Sequence, residues 1–497
     1  MKLKTVFFII LLVSSLQFFA QNKMYTQQYR PQFHFSPATN WCNDPNGLVY
    51  NQGTYHLFYQ HNPFGNQWGH MTWAHATSKD LIHWKHMPIA IPEENGIMIF
   101  SGTCVVDKDN TSGFGKDGKI PMVAVYTGHI ENKNQSQHIA WSLDNGLTWT
   151  KYADNPVLDL HKVDFRDPKI FWYEPKKYWV MSVMLPVEHQ VQFYASKNLK
   201  EWNHLSDFGP AGDTSGVWEC PDLTPVPVAG MPGKKKWLLQ MSMNAAMQYF
   251  VGEFDGEKFI NENPADKIFR PDYGPDYYAA IAYNQLPATH LPTAIGWVNN
   301  WNYANDIPTS PWKSAMSLPR NLSTKKINNE WILIQRPVGI TNTLRKELYQ
   351  LKDISVSDKK SLPVKSNQFE LQLDMEPGQD GVCGIKLAVG NETWFEMGYN
   401  AAKQLFYIDR SKSSNTAFND NYKKLNRFEK LIALKNNKLH LQVFFDNSIA
   451  EIFVNDGEAV FTAQLFPNTT DNGIELFNLG VKSKFSNLHL WEMKTAW

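Results

Sequence analysis

Five stretches of the chain begin on the same kind of turn, and their spacing limits the folds open to it. They start near Asp44, Phe100, Asp167, Glu219 and Tyr277, at intervals of 56, 67, 52 and 58 residues. Most run into apolar, aromatic-rich segments such as Thr54 to Gln60, Lys177 to Met184 and Lys236 to Met243. Self-similarity at this period belongs to propeller blades or a solenoid. A second marker recurs further along: Ser78-Lys79-Asp80-Leu81-Ile82-His83-Trp84, Ser142-Leu143-Asp144-Asn145-Gly146-Leu147-Thr148-Trp149 and Ser196-Lys197-Asn198-Leu199-Lys200-Glu201-Trp202, with an echo at Glu253 to Phe259. Each reads as a strand, a turn on Asp, Asn or Gly, and an outer strand closed by an aromatic. Helical periodicity is scarce. The expectation is an all-β chain: five blades of four strands over residues 30–337, forming a β-propeller.

Beyond Arg336-Pro337 the blade markers stop. Residues 338–366 carry more charge and fewer aromatics and read as a linker that could hold a short helix. Residues 367–497 show at least seven short alternating strands, the pattern of a β-sandwich.

Three of the turns carry an acid: Asn43-Asp44-Pro45-Asn46-Gly47, Phe165-Arg166-Asp167-Pro168 and Trp218-Glu219-Cys220-Pro221. Singly, Asp44 is well explained as a turn former and Asp167 as half of an ion pair with Arg166. Glu219 follows the run Gly216-Val217-Trp218, which is expected to desolvate its carboxyl and raise its pKa, as a general acid requires. Taken together the acids mean more. The first strand of each blade lines the propeller axis, so acids opening blades one, three and four converge at one mouth. Convergent carboxylates repel, and carboxylates sharing a site are the equipment of glycoside hydrolysis. Trp41, Trp68, Trp218 and Trp301 near these turns offer indole faces to sugar rings.

Other features narrow the function. Lys and Arg (48) balance Asp and Glu (48), so nothing attracts a polyanion and nucleic acid is not an expected partner. Residues 1–20 join a basic start to an apolar run ending at Phe18-Phe19-Ala20, which reads as a secretory signal too short for a membrane span, and predicts a secreted or periplasmic protein. Cys42, Cys104, Cys220 and Cys383 are scattered, implying neither disulfides nor zinc. His70, His75, His83 and His86 are close in sequence but fall around strands, and no metal site is expected. Asp276, before Tyr277-Tyr278, is a candidate for a sugar hydroxyl contact or a turn role.

The motifs Trp41-Cys42-Asn43-Asp44-Pro45-Asn46-Gly47, Phe100-Ser101-Gly102, Phe165-Arg166-Asp167-Pro168 and Trp218-Glu219-Cys220-Pro221 together resemble the ordered signature of glycoside hydrolase family 32, the invertases, inulinases and levanases. Gly296-Trp297-Val298-Asn299-Asn300-Trp301, Ser317-Leu318-Pro319-Arg320 and Glu451-Ile452-Phe453-Val454-Asn455-Asp456-Gly457 extend the likeness over nearly the whole mature chain. The resemblance implies a five-bladed β-propeller followed by a C-terminal β-sandwich, and a retaining hydrolase of fructans or sucrose that needs no cofactor. It implies Asp44 as nucleophile, Glu219 as acid and base, and Asp167 as the holder of fructose hydroxyls with Arg166 beside it. Asn43, Gln60, Trp68, Phe100, Ser101 and Trp301 match positions that shape a fructose pocket. Cys42 stands where Met is more usual, which removes no catalytic group. The wording Asn110-Thr111-Ser112-Gly113-Phe114-Gly115 and Gly216 to Leu223 is most similar to exo-acting levanases and exo-inulinases. A sugar-binding propeller without chemistry and an endo-acting fructanase are the alternatives.

Overall fold

The computed structural model describes residues 25–497. The expected secretory signal lies outside the described residues. Five sheets follow one another along the chain, and their first strands are Asn40–Asn51, Met98–Val106, Arg166–Tyr173, Trp218–Pro227 and Tyr278–Ala282. These are the five repeated segments of the sequence. They pack side by side in a closed ring, each against the first strand of the next blade and the fifth against the first. Closure is sealed by a parallel bridge of Val49 to Asn284 and by Trp312–Lys313 pairing with Asn40 and Trp41. We call the blades I to V in chain order.

The Ser-x-Asp/Asn marker has a physical role in this fold. Ser78 Oγ accepts from the backbone N–H groups of Asp80 and Leu81, and Asp80 Oδ1 from those of Ile82 and His83. Ser142 with Asp144, and Ser196 with Asn198, build the same turn before the outer strands of blades II and III. A short polar side chain that bonds nearby backbone donors is what such a turn requires.

The C-terminal unit is a sandwich of two six-stranded sheets around one apolar core. Here the linker expectation is corrected. Residues 339–344 form a short 3-10 turn, then Arg345–Val356 pairs with Ser483–Met493 and Lys359–Lys365 with Gly473–Leu479, one strand in each sheet. Both are edge strands with mostly exposed side chains. Charged edges protect a sheet from further pairing, and the same charges erase the alternation by which a strand is recognised.

The sandwich docks on the propeller through buried ions. Glu451 accepts from Arg320 Nη2 (2.6 Å), His34 Nε2 (3.0 Å) and the Leu318 N–H (2.6 Å). Asp446 accepts from the N–H groups of Gln32, Phe33 and His34 and from the His34 ring. Burial alone would lower the His34 pKa, but its bonds to Asp446 and Glu451 outweigh that and hold it up at about 9.

Candidate active site

All five first strands carry the same irregularity. Register slips by one residue between Cys42 and Pro45, Ile99 and Gly102, Arg166 and Lys169, Glu219 and Asp222, and Tyr278 and Ile281. A bulge of one extra residue re-aims a side chain away from the pleat. Asp167 (φ 66°) and Cys220 (φ 50°) adopt the left-handed backbone there. Pro168 and Pro221 lie inside their bulges, where an absent N–H costs no ladder bond. In blade II, Gly102 admits no side chain: a Cβ would stand 2.1 Å from the Val125 carbonyl oxygen, so the strand crosses close and presents Ser101 beside blade I.

The bulges bring the three acids together. Asp44 Oδ2 accepts from Ser101 Oγ (2.6 Å) and Oδ1 from Asn43 Nδ2 (3.0 Å). Asp167 Oδ2 accepts from the Cys220 N–H (2.9 Å). The Cys220 sulfur lies 3.4 Å from Asp44 Oδ2 and 3.7 Å from Asp167 Oδ2, so one thiol adjoins both aspartates. Glu219 Oε1 accepts from Arg166 Nη2 (3.1 Å) and Oε2 from the Tyr278 hydroxyl (2.5 Å). Arg166 is itself held by Asp164 and Gln135.

Burial raises the Asp44 pKa, the Ser101 and Asn43 bonds oppose the rise, and the Glu219 charge adds to it. Burial also raises Asp167, with Arg166 opposing and Glu219 and Asp44 adding. Burial and the three acids keep the Cys220 thiol neutral. The apolar run before Glu219 is only partly buried. Trp218 is buried, but Val217 is exposed and the Glu219 side chain keeps 25% of its surface.

A cavity of about 340 Å³ opens over these groups. Asn43, Gln60, Trp68, Phe100, Ser101, Arg166 and Trp301 line it together with the three acids, as the sequence anticipates. His129, Gln135 and Asp164 also line it and were not anticipated. Asp164 lies just before the first strand of blade III, and the other two have a common signal. Each first strand starts at the mouth, so an antiparallel second strand returns there and the tips joining strands two and three must surround the pocket. His129 and Gln135 flank such a tip, as Gln60 and Trp68 do in blade I. Phe100 stacks on His129 with ring centres 4.2 Å apart, and Trp301 stacks on Trp41 at 6.0 Å. On the same first strand as Asp167, Lys169 is buried, with Nζ 3.0 Å from Asp222 Oδ1 and 2.6 Å from the Ala282 carbonyl.

Asp276 is not part of the pocket. It is fully buried between propeller and sandwich, accepting from Arg410 Nη1 (2.8 Å), Tyr303 (2.5 Å) and the Gln464 N–H (2.7 Å). A carboxylate so enclosed by a guanidinium 134 residues away has no oxygen to offer a sugar. The histidines also separate: His75 meets His56, His83 meets Asp80, His70 meets Glu93 and His86 meets Tyr25.

Comparison with known proteins agrees with this geometry. Residues 34–337 match the glycosyl hydrolases family 32 N-terminal domain, and residues 341–492 the family 32 C-terminal domain. The chain is 44% identical to a levanase of Bacillus subtilis, covering 96% of this chain and 72% of that protein. It is 38% identical to an extracellular exo-inulinase of Aspergillus niger, covering 95% and 96%. The crystal structure of exo-inulinase from Aspergillus awamori superposes with a TM-score of 0.90 at 35% identity, over 95% of this chain and all of that one.

Proposed function

The chain belongs to glycosyl hydrolase family 32, and from that premise we propose that it is a retaining β-fructofuranosidase which removes terminal fructosyl units from fructans of the levan or inulin type and from sucrose. The observation that carries the reading is the convergence of Asp44, Asp167 and Glu219 at one mouth, joined through Cys220 and Arg166.

In this reading Asp44 attacks the anomeric carbon of the fructosyl unit while Glu219 gives its proton to the departing glycosidic oxygen. The C–O bond breaks and a fructosyl ester forms on Asp44. Glu219 then takes a proton from water, whose oxygen attacks the same carbon and releases Asp44. Two displacements restore the configuration. Asn43 and Ser101 orient the Asp44 carboxylate for attack, and Arg166 and Tyr278 fix Glu219 across the pocket. Asp167 binds fructose hydroxyls and faces the positive charge that develops on the ring. Trp68, Phe100 and Trp301 supply apolar faces for sugar C–H groups. Exo-action agrees with the relatives named exo-inulinase. Export agrees with the N-terminal sequence and with the relatives named extracellular. Among the described residues no helix is long and apolar enough to cross a membrane.

Chromatography of products from levan, inulin and sucrose, with a chelator present, tests this. Free fructose from the first time points is expected. Mixed oligosaccharides would point to endo-action, and binding without product to a lectin-like protein. Asp44→Ala and Glu219→Ala should each lower turnover by several orders of magnitude, with azide partly restoring Glu219→Ala on a substrate with a good leaving group. Unchanged turnover in both would end the assignment.

A further inference from the structure

One loop ties the sugar pocket to the sandwich. Residues 299–311 leave blade V after Thr293–Val298 and lead to Trp312–Lys313, and Trp301 stands on this loop at the cavity. Asn305 faces the pocket rim: its Oδ1 accepts from the Trp68 N–H (3.0 Å) and its carbonyl from Gln67 Nε2 (3.3 Å).

The same few residues are gripped from the sandwich. Between Leu405–Asp409 and Arg427–Leu431 the chain departs from its sheet as segment 410–426, which contains a single helical turn, Asp420–Lys424. Asn421 Nδ2 donates to the Asn302 carbonyl (3.2 Å) and Asn419 Nδ2 to Asp306 Oδ2 (2.6 Å). Arg410 donates to the Tyr303 hydroxyl (2.8 Å), and Tyr303 packs edge-on against Tyr422 with ring centres 5.1 Å apart. Residues 301–306 therefore hold one indole of the pocket, support the backbone under another, and take three hydrogen bonds and a ring contact from the second domain.

We propose that segment 410–426 is a positioning element of the sugar pocket, which fixes Trp301 and Trp68 at the rim and so sets affinity for the fructan chain rather than the rate of bond cleavage. This rests on the reading of Trp301 as a wall of the sugar pocket. The separation of affinity from rate follows from the hydrogen bonds of the acids. Asp44, Asp167 and Glu219 are held by Asn43, Ser101, Cys220, Arg166 and Tyr278, all on first strands of the blades and none on this loop. A platform that must be ordered when the sugar binds loses affinity, whereas one ordered beforehand does not.

The test is the double variant Asn419→Ser with Asn421→Ala, beside Trp301→Ala. Asn419 Oδ1 also caps the helical turn, accepting from the N–H groups of Asn421 and Tyr422, and serine keeps a capping oxygen while losing the reach to Asp306. The double variant should raise KM for fructan by roughly three- to tenfold, with kcat within about twofold. Its melting temperature should stay close to the parent's, and Trp301→Ala should raise KM at least as much. If Trp301→Ala raises KM and the double variant does not, the positioning role is wrong and the pocket stands. If neither raises KM, the pocket reading itself fails. A fall in kcat together with melting temperature would show a merely structural contact and overturn the proposal. Should the double variant not fold, Asn421→Ala alone is held to the same outcomes.

Discussion

Ser101→Ala probes the electrostatics of the nucleophile directly. The Ser101 hydroxyl is buried and donates to Asp44 Oδ2 at 2.6 Å; without it the carboxylate keeps the Asn43 amide at 3.0 Å and the Cys220 thiol at 3.4 Å. Burial raises the Asp44 pKa and the serine opposes it, because a hydroxyl hydrogen bond favours the anion. A hydrogen bond to a charged group contributes about 1.5–3 kcal/mol. Removing it lowers the ionised fraction by roughly 10- to 150-fold wherever the acid is mostly protonated. The nucleophile acts as the anion, and that fraction grows with pH. The acid limb of kcat/KM should therefore move to higher pH, with the loss large on the acid side and small on the alkaline side. Initial rates of fructose release from pH 4 to 8, taken as kcat/KM to report the free enzyme, measure this. A uniform fall at every pH with an unmoved limb would mean that Ser101 binds sugar and does not tune Asp44.

Asp167→Asn should abolish most turnover yet stabilise the fold. Its folded pKa is raised above an unfolded value of about 3.9, so its contribution to stability is full below that pH and is lost as pH rises through the folded value. Thermal melts should show the variant gaining on the parent at pH 8 and not at pH 4; a variant less stable at pH 8 refutes the sign. His34→Gln should cost roughly 3 kcal/mol at neutral pH by leaving buried carboxylates short of a partner. The His34 contribution is full below about 6.5 and is lost through about 9, so denaturation midpoints of parent and variant should converge by pH 10. Truncation after Arg336 should give insoluble or heat-labile protein, because Arg320, Asp272 and Asp276 would lose their buried partners; a soluble fragment melting with the parent would contradict this.

Local chemistry and repetition determined much of this protein in the sequence itself. The turns of Asp, Asn, Pro and Gly announce the blades because those residues act on backbone within a few positions. The first strands line the axis in any propeller, so the meeting of Asp44, Asp167 and Glu219 follows from their place in the repeat. Only the tertiary structure decided what lies on the other side of each group. Asp276 sits beside a first strand as the acids do, but Arg410 and Gln464 of the sandwich take its Oδ2 and Tyr303 its Oδ1. Residues 345–365 look like a tether because edge strands face water, and their partners lie more than 100 residues ahead. Glu219 is met by Tyr278 of the neighbouring blade and by Arg166 of the preceding one, contacts that its own apolar run does not announce. Periodicity reports which way a side chain points within its own strand; which atoms it meets there is set by chain packing from elsewhere in the fold.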